Sequence, residues 1–392
     1  MSTRVTRQGY GSKIGDSLKG VVFGFFAIIA SIGLLWFNES NSVKEIRKIA
    51  EGKKNTVTVD SKVYTQANEG VLVHMSGTAE TDDLLMDDEF RFELNAIKFE
   101  KVVEMYQYKE NKKTETKDNV GGSTTTTETF TYEEVWSETL ISSDGFDESW
   151  RSNPKDFDYK AASYQAKNVD LGVYKLSSGL IAQIGGAEDF NVTEEIYPTD
   201  DNYGLISGGK IYFGAGSKNP EIGDERISFQ VTYPHEISIV SQQQGESFVP
   251  YVAKNGRTIE LVYDGIKTSE EMFASEASKN SIMTWVLRLV GFLLMFAGFA
   301  AILKPISTVG SVIPLLGNVL QAGIGIIAGL IAFIISFVVI AVAWIVFRPI
   351  LGICLLLIAG AAFYFGKKHF GSDEEVKPET PEQVKEEDGE KS

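Results

Sequence analysis

Apolar residues gather into four runs, at positions 21–37, 282–303, 319–347 and 350–366, and the 244 residues between the first two have a different texture. A bilayer core about 30 Å thick needs roughly 20 apolar helical residues to cross it. The runs therefore predict four transmembrane helices. The first could be read as a secretion signal, but it ends Leu34-Leu35-Trp36-Phe37-Asn38, without the small residues of a cleavage site. It is expected to stay as an anchor.

Within 38–281 the apolar positions recur every second residue. Phe90, Phe92 and Leu94 alternate with Arg91 and Glu93, and Ile227, Phe229, Val231 and Tyr233 alternate with Ser228, Gln230 and Thr232. That period belongs to strands with one buried and one wet face. Further strands are expected near Thr56–Tyr64, Val71–Met75, Lys101–Tyr108, Phe130–Trp136, Val173–Leu176, Ile211–Phe213 and Ile259–Tyr263. The Lys-, Glu- and Thr-rich stretch between Tyr108 and Phe130 reads as a solvated hairpin tip. Ser42-Val43-Lys44-Glu45 and Thr268-Ser269-Glu270-Glu271 both have capping-box spacing, so a helix is expected to start at each membrane junction. The expected fold is an α+β membrane protein: four transmembrane helices, with a large mostly-β extramembrane domain inserted between helix 1 and helix 2. Residues 304–318 are expected to form a short loop, and 367–392, rich in Glu, Lys and Pro, a disordered acidic tail.

Charge orients this plan. Arg4, Arg7, Lys13 and Lys19 precede the first run, and Lys367, Lys368 and His369 follow the fourth. Basic flanks favour the cytoplasmic side, and an even number of spans puts both ends there, leaving 38–281 on the opposite face. The formal charge of −16 is concentrated in that domain, which carries −18, while residues 1–37 and 282–348 carry +3 each. An acidic surface repels phosphates, so nucleic acid is excluded as a partner. Cys354, the sole cysteine, lies in the fourth run, which rules out an intrachain disulfide or a thiolate metal site.

Several strings resemble one family. They are Trp36-Phe37-Asn38-Glu39 at the first exit, Val103-Glu104-Met105-Tyr106-Gln107-Tyr108 in the domain, Gly223–Phe229 on a late strand, Thr284-Trp285-Val286-Leu287-Arg288 at the second span, and Trp344 followed by Arg348-Pro349. In this order they resemble the transmembrane protein 43 family, also called LUMA, over about residues 20–366. The departures are Phe37 and Ser40 flanking Asn38-Glu39, and Tyr108 where the family has Trp; an interfacial aromatic is kept at each. The resemblance implies four spans, cytoplasmic or nucleoplasmic termini and a lumenal or periplasmic domain. Animal members are associated with the endoplasmic reticulum and inner nuclear membrane, where they self-associate and bind emerin and lamins.

No HExxH, GxSxG, phosphate-loop or dinucleotide fingerprint occurs, and His74, His235 and His369 have no ligand spacing. Asp82-Asp83 and Asp87-Asp88 lack the ladder and glycine of a calcium loop. Asn191-Val192-Thr193 is a glycosylation acceptor sequence only if the domain faces a lumen. The sequence thus points to no enzyme, metal or cofactor. Arg288, inside the second span, is expected either to snorkel to headgroups or to face the bundle with Gln321 or a carbonyl. Gly325 and Gly329 form a small-residue face suited to close helix contact, within the hairpin or between protomers. The combined reading is a self-associating membrane scaffold whose partners are lipids, further copies and other membrane proteins. A pore component and a lipid- or envelope-modifying enzyme are the alternatives. Its membrane would be the cytoplasmic one of a bacterium, or the endoplasmic reticulum and inner nuclear membrane of a eukaryote.

Overall fold

The computed structural model describes residues 1–87, 89–90, 93–194, 204–215, 217–310 and 314–349; for 310 and 314–321 it describes the backbone alone. Three of its helices are long and apolar enough to cross a membrane. They are α1 (Tyr10–Asn55), α3 (Ser269–Gly310) and α4 (Pro314–Phe347), with the short α2 (Ser178–Gln183) lying in the β domain. The fourth expected span, 350–366, and the tail 367–392 lie outside the described residues.

The helices overrun the expected boundaries. Nothing between Asn38 and Asn55 breaks a helix, so α1 continues about 70 Å in one piece. The capping box expected at Ser42–Glu45 is therefore unused. Ser42 is buried against α3 and accepts hydrogen bonds from Asn280 Nδ2, while Glu45 binds Lys48 and Arg257. The second box is real: Thr268 Oγ1 accepts the Glu271 N–H at 3.3 Å, and Glu271 Oε2 accepts the Thr268 N–H at 2.8 Å. The loop expected at 304–318 is mostly helix. α3 carries Pro305 inside it and runs to Gly310, and α4 opens on Pro314, whose missing N–H costs nothing at a first helical position.

Two large sheets build most of the domain, beside two small two-stranded ones among the described residues. Among the described residues, one has eight strands in the order Ser2–Gln8, Thr124–Ser137, Lys98–Asp118, Glu225–Thr232, Lys210–Phe213 and Leu205–Ser207, with Ala162–Gln165 and Glu188–Phe190 attached at the side. The other, with seven, centres on Leu72–Glu80 paired antiparallel with His235–Gln244. Val73, Met75, Ile237 and Ile239 from the second sheet share one core with Phe99, Val103, Ile227, Phe229 and Val231 from the first. Phe99 stacks on Phe229 with centroids 5.2 Å apart. A second cluster ties the helices to the sheets: Ile49 of α1 and Met272 and Phe273 of α3 pack with Leu72, Val240 and Ile259. Gly52 allows this, since a Cβ there would meet Ile259 and Phe273 at 2.7 Å.

The stretch expected to be a solvated hairpin tip is the end of a hairpin whose pairing runs far into it, a long two-stranded ribbon of Lys98–Asp118 against Thr124–Ser137. Threonines favour strands, and cross-strand pairs such as Lys109–Glu133 at 2.9 Å hold the register. Gly121 and Gly122, at φ 91° and 80°, make the turn. The N-terminal strand Ser2–Gln8 pairs along this ribbon, from Ser2 opposite Phe130 to Gln8 opposite Thr124, and Lys13 meets Asp118 at 2.6 Å.

That pairing puts residues of the expected cytoplasmic 1–20 segment into one sheet with the 38–281 domain. It also sets the charged ribbon beside the apolar part of α1, where Val22, Phe23, Phe25, Phe26 and Ile29 are exposed and require lipid. Hydrocarbon admits neither an open sheet edge nor the side chains of Lys112, Lys113, Glu115 and Lys117. Insertion of residues 21–37 and docking of residues 2–8 on the ribbon thus exclude each other. Val5 and Thr127 are register partners, so cysteines at both, with Cys354 replaced, report on the choice. In intact membranes no disulfide is expected, because burying the span outweighs seven strand pairs. Efficient cross-linking there would place the N-terminus on the β-domain side.

Candidate functional site

Three helices meet where they leave the apolar zone, and their contact is polar. Glu39 of α1 is fully buried and lies opposite Arg288 of α3. The guanidinium donates from Nε to Oε1 at 2.6 Å and from Nη2 to Oε2 at 3.0 Å, a two-pronged pair. Trp344 of α4 completes it, its indole Nε1–H donating to Glu39 Oε2 at 2.8 Å. The Arg288 guanidinium also lies 4.7 Å from the Trp285 ring centroid and 5.6 Å from that of Trp344. Both carboxylate oxygens of Glu39 are therefore engaged, as burial of its charge requires.

The surroundings extend the same logic. Asn38 Nδ2 donates to the Thr284 carbonyl at 3.0 Å, and about two turns lower on the same helix Ser31 Oγ donates to the Gly291 carbonyl at 2.7 Å. On α4, the Arg348 N–H bonds the Trp344 carbonyl at 2.8 Å and its guanidinium lies 5.6 Å from the Trp344 ring; Pro349 follows directly. Trp36, Phe37 and Trp285 remain exposed around the joint, the aromatic belt of a membrane interface. Arg288 thus faces the bundle, and its partner is Glu39. The Gln321 side chain lies outside the described residues. A sequence signal for the pair did exist: an acid just past one span and a base just inside the next, on antiparallel neighbours.

The small residues divide. Gly329 of α4 turns toward Phe296 of α3, whose ring stands 3.7 Å from where a Cβ would be, whereas Gly325 has open space. The tight contact lies elsewhere, between α1 and α3. A Cβ on Gly24 would meet the Gly298 carbonyl oxygen at 2.5 Å, and one on Gly298 the Gly24 carbonyl oxygen at 2.9 Å.

The family-like string lies in the domain, far from the joint in sequence. Val103, Met105 and Gln107 are buried on one face of their strand. Gln107 is satisfied there, donating to the Thr139 carbonyl and accepting the Ile141 N–H. On the other face Glu104 binds Arg226 through two hydrogen bonds of 2.7 Å, with Lys210 at 3.4 Å, and Arg226 covers the Trp136 ring on which Tyr106 packs. These contacts brace the sheet. Burial pushes the Glu104 carboxyl up, but the bonds and charges of Arg226 and Lys210 more than reverse this and hold it below the usual range. Glu225 behaves oppositely: burial raises it, only partly offset by the N–H groups of Asp158 and Tyr159.

These shifts have opposite signs for stability. The lowered Glu104 contributes above its unfolded value of about 4.3 and loses that contribution as pH falls through the folded value. The raised Glu225 contributes below that unfolded value and loses it as pH rises. Denaturation of the full chain and of Glu104→Gln between about pH 3 and 7 should therefore give a stability gap that is widest near neutrality and narrows on acidification. A gap independent of pH would mean that Glu104 acts through packing alone.

Among the described residues no group of three His, Cys, Asp or Glu side chains is placed to hold a metal ion. An open depression of about 420 Å³ lies where strands 124–137 and 162–165 leave Val102–Glu104 uncovered, lined by Lys101, Val103, Glu138 and Ser163.

Comparison with known proteins identifies relatives along most of the chain. A family model described as Transmembrane protein 43 matches residues 105–349. Transmembrane protein 43 of Homo sapiens is 29% identical over 371 residues, covering 91% of this chain and 91% of that protein. The Transmembrane protein 43 homolog of Drosophila melanogaster is 30% identical over 352 residues, 88% of this chain and 92% of the relative. No solved structure matches. With more than half its length matched by the family model, and with a relative 30% identical over most of both chains, the chain belongs to the transmembrane protein 43 family.

Proposed function

We propose that this protein is a non-enzymatic membrane scaffold, which self-associates and holds other membrane proteins or envelope structures at the face where its β domain stands. The observation that carries this reading is mechanical. α1 and α3 pass without a break from the apolar zone into the domain core through Ile49, Met272 and Phe273, and the Glu39–Arg288–Trp344 joint locks them to α4. Such a frame fixes the domain's orientation to the bilayer, which is useful for presenting a surface and unnecessary for chemistry on a soluble substrate. The domain would face a periplasm or a lumen according to the host membrane.

Self-association is assigned to the outer face of α4 at Gly325, where a Cβ finds open space, and not to Gly329, which serves α3 of the same chain. Cross-linking of wild type and Gly325→Leu in native membranes at native expression tests both parts, with the cross-linked partners identified. Wild-type oligomers reduced by Gly325→Leu, carrying recurrent membrane partners, support the reading. A monomeric wild type with no partner enriched over an unrelated membrane protein would sink it.

A further inference from the structure

We infer that Arg47 and Arg348 form a binding site for the phosphate of an anionic phospholipid headgroup, in the leaflet on the β-domain side. The two side chains converge on the end of α4: Arg47 Nη2 donates to the Phe347 carbonyl at 3.1 Å, and Arg348 is the next residue, its guanidinium 5.6 Å from the Trp344 ring. α4 is apolar to Phe347, so its end marks the bilayer surface, and a guanidinium bound to its last carbonyls lies at headgroup depth. Trp36 packs edge-on against Phe347 with centroids 5.2 Å apart, adding an indole at the same level.

What sets these arginines apart is their uncompensated charge. Arg288 is spent on Glu39; of the acids near Arg47 on α1, Glu45 is spent on Lys48 and Arg257, and Glu51 accepts from the Tyr251 hydroxyl and the Lys254 N–H. Among the described residues neither Arg47 nor Arg348 stands in an ion pair. A plainer role exists: cations at a helix C-terminus satisfy its carbonyls and its dipole. That role uses one donor of Arg47, while each guanidinium has five in a planar fork matched to two phosphate oxygens. The domain above carries −18 and repels anions, so the pair is a local positive spot within reach of headgroups.

The test is lipid retention by the full-length protein, measured by native mass spectrometry and by titration in nanodiscs of phosphatidylcholine with and without phosphatidylglycerol. Wild type should bind phosphatidylglycerol selectively. Arg47→Gln/Arg348→Gln should weaken that binding about thirtyfold, given the usual attraction of an anionic lipid surface for two arginines. The Arg→Lys pair, keeping charge without the fork, should fall between. If the double variant does not fold, each single Arg→Gln change is compared by the same titration. Unchanged selectivity in variants that fold overturns the inference. So does equal destabilisation in pure phosphatidylcholine with no loss of selectivity, which would leave the arginines as helix caps. Displacement of the lipid by millimolar inorganic phosphate would make the site one for free anions and overturn its assignment to lipid.

Discussion

Glu39→Ala is expected to destabilise the full-length protein by about 3–5 kcal/mol, the usual consequence of stranding one partner of a buried ion pair. The Arg288 side chain is only 13% exposed and would keep its charge with no counter-ion, while the Trp344 indole would lose its acceptor. Arg288→Ala should be no milder, because it leaves a carboxylate with no exposure at all. Replacing both by methionine should recover most of the loss, since apolar residues of similar volume often substitute for a buried pair at little cost. Thermal melts in detergent, followed by the fluorescence of the adjacent Trp285 and Trp344, give the double-mutant cycle. A single-variant effect within the ±0.5 kcal/mol of an ordinary surface substitution would mean that water reaches the pair and that the joint is no lock.

Much of the plan, and little of the joint, was legible beforehand. Long apolar runs and period-two stretches are local signals, and they located the three described membrane helices and the strand that carries Val103, Met105 and Gln107. The Glu39–Arg288 bond joins residues 249 positions apart, and no local pattern reaches that far. The two capping boxes make the same point. Ser42–Glu45 and Thr268–Glu271 have the same form, but the first lies inside a helix that nothing interrupts, whereas the second follows the strand Leu261–Asp264 and Gly265 at φ 79°. A capping box marks a helix start only where the preceding backbone is not already helical. The ribbon was legible as two strands and a hairpin tip but not in its full length, because its outer part is held by ion pairs and threonines across the gap and shows no apolar alternation.

Glycines were legible as small residues but not as contacts, and here the largest packing effect is expected. Gly298→Leu puts a side chain where the nearest atoms are Ile28 Cγ1 at 2.7 Å and, less yielding, the backbone oxygen of Gly24 at 2.9 Å and the backbone nitrogen of Ile28 at 3.2 Å. A side chain can rotate away from an intruder; a helix backbone can only translate. In lipid, with no hydrophobic drive to hold helices together, the pair depends on that close approach. The substitution should therefore cost at least the 1–3 kcal/mol of ordinary overpacking. It should also spread upward, breaking the Ser31 hydrogen bond to the Gly291 carbonyl and lengthening the Glu39–Arg288 contact beyond it. Gly33→Leu is the matched control, on the same helix as Gly24 with nothing within 4 Å of its Cβ position. Melting temperatures of the two variants in detergent, with a cysteine cross-link between α1 and α3 as the readout of separation, decide the matter. Equal melting and cross-linking would show that the leucine is accommodated without parting the helices and that the pair does not depend on this close approach.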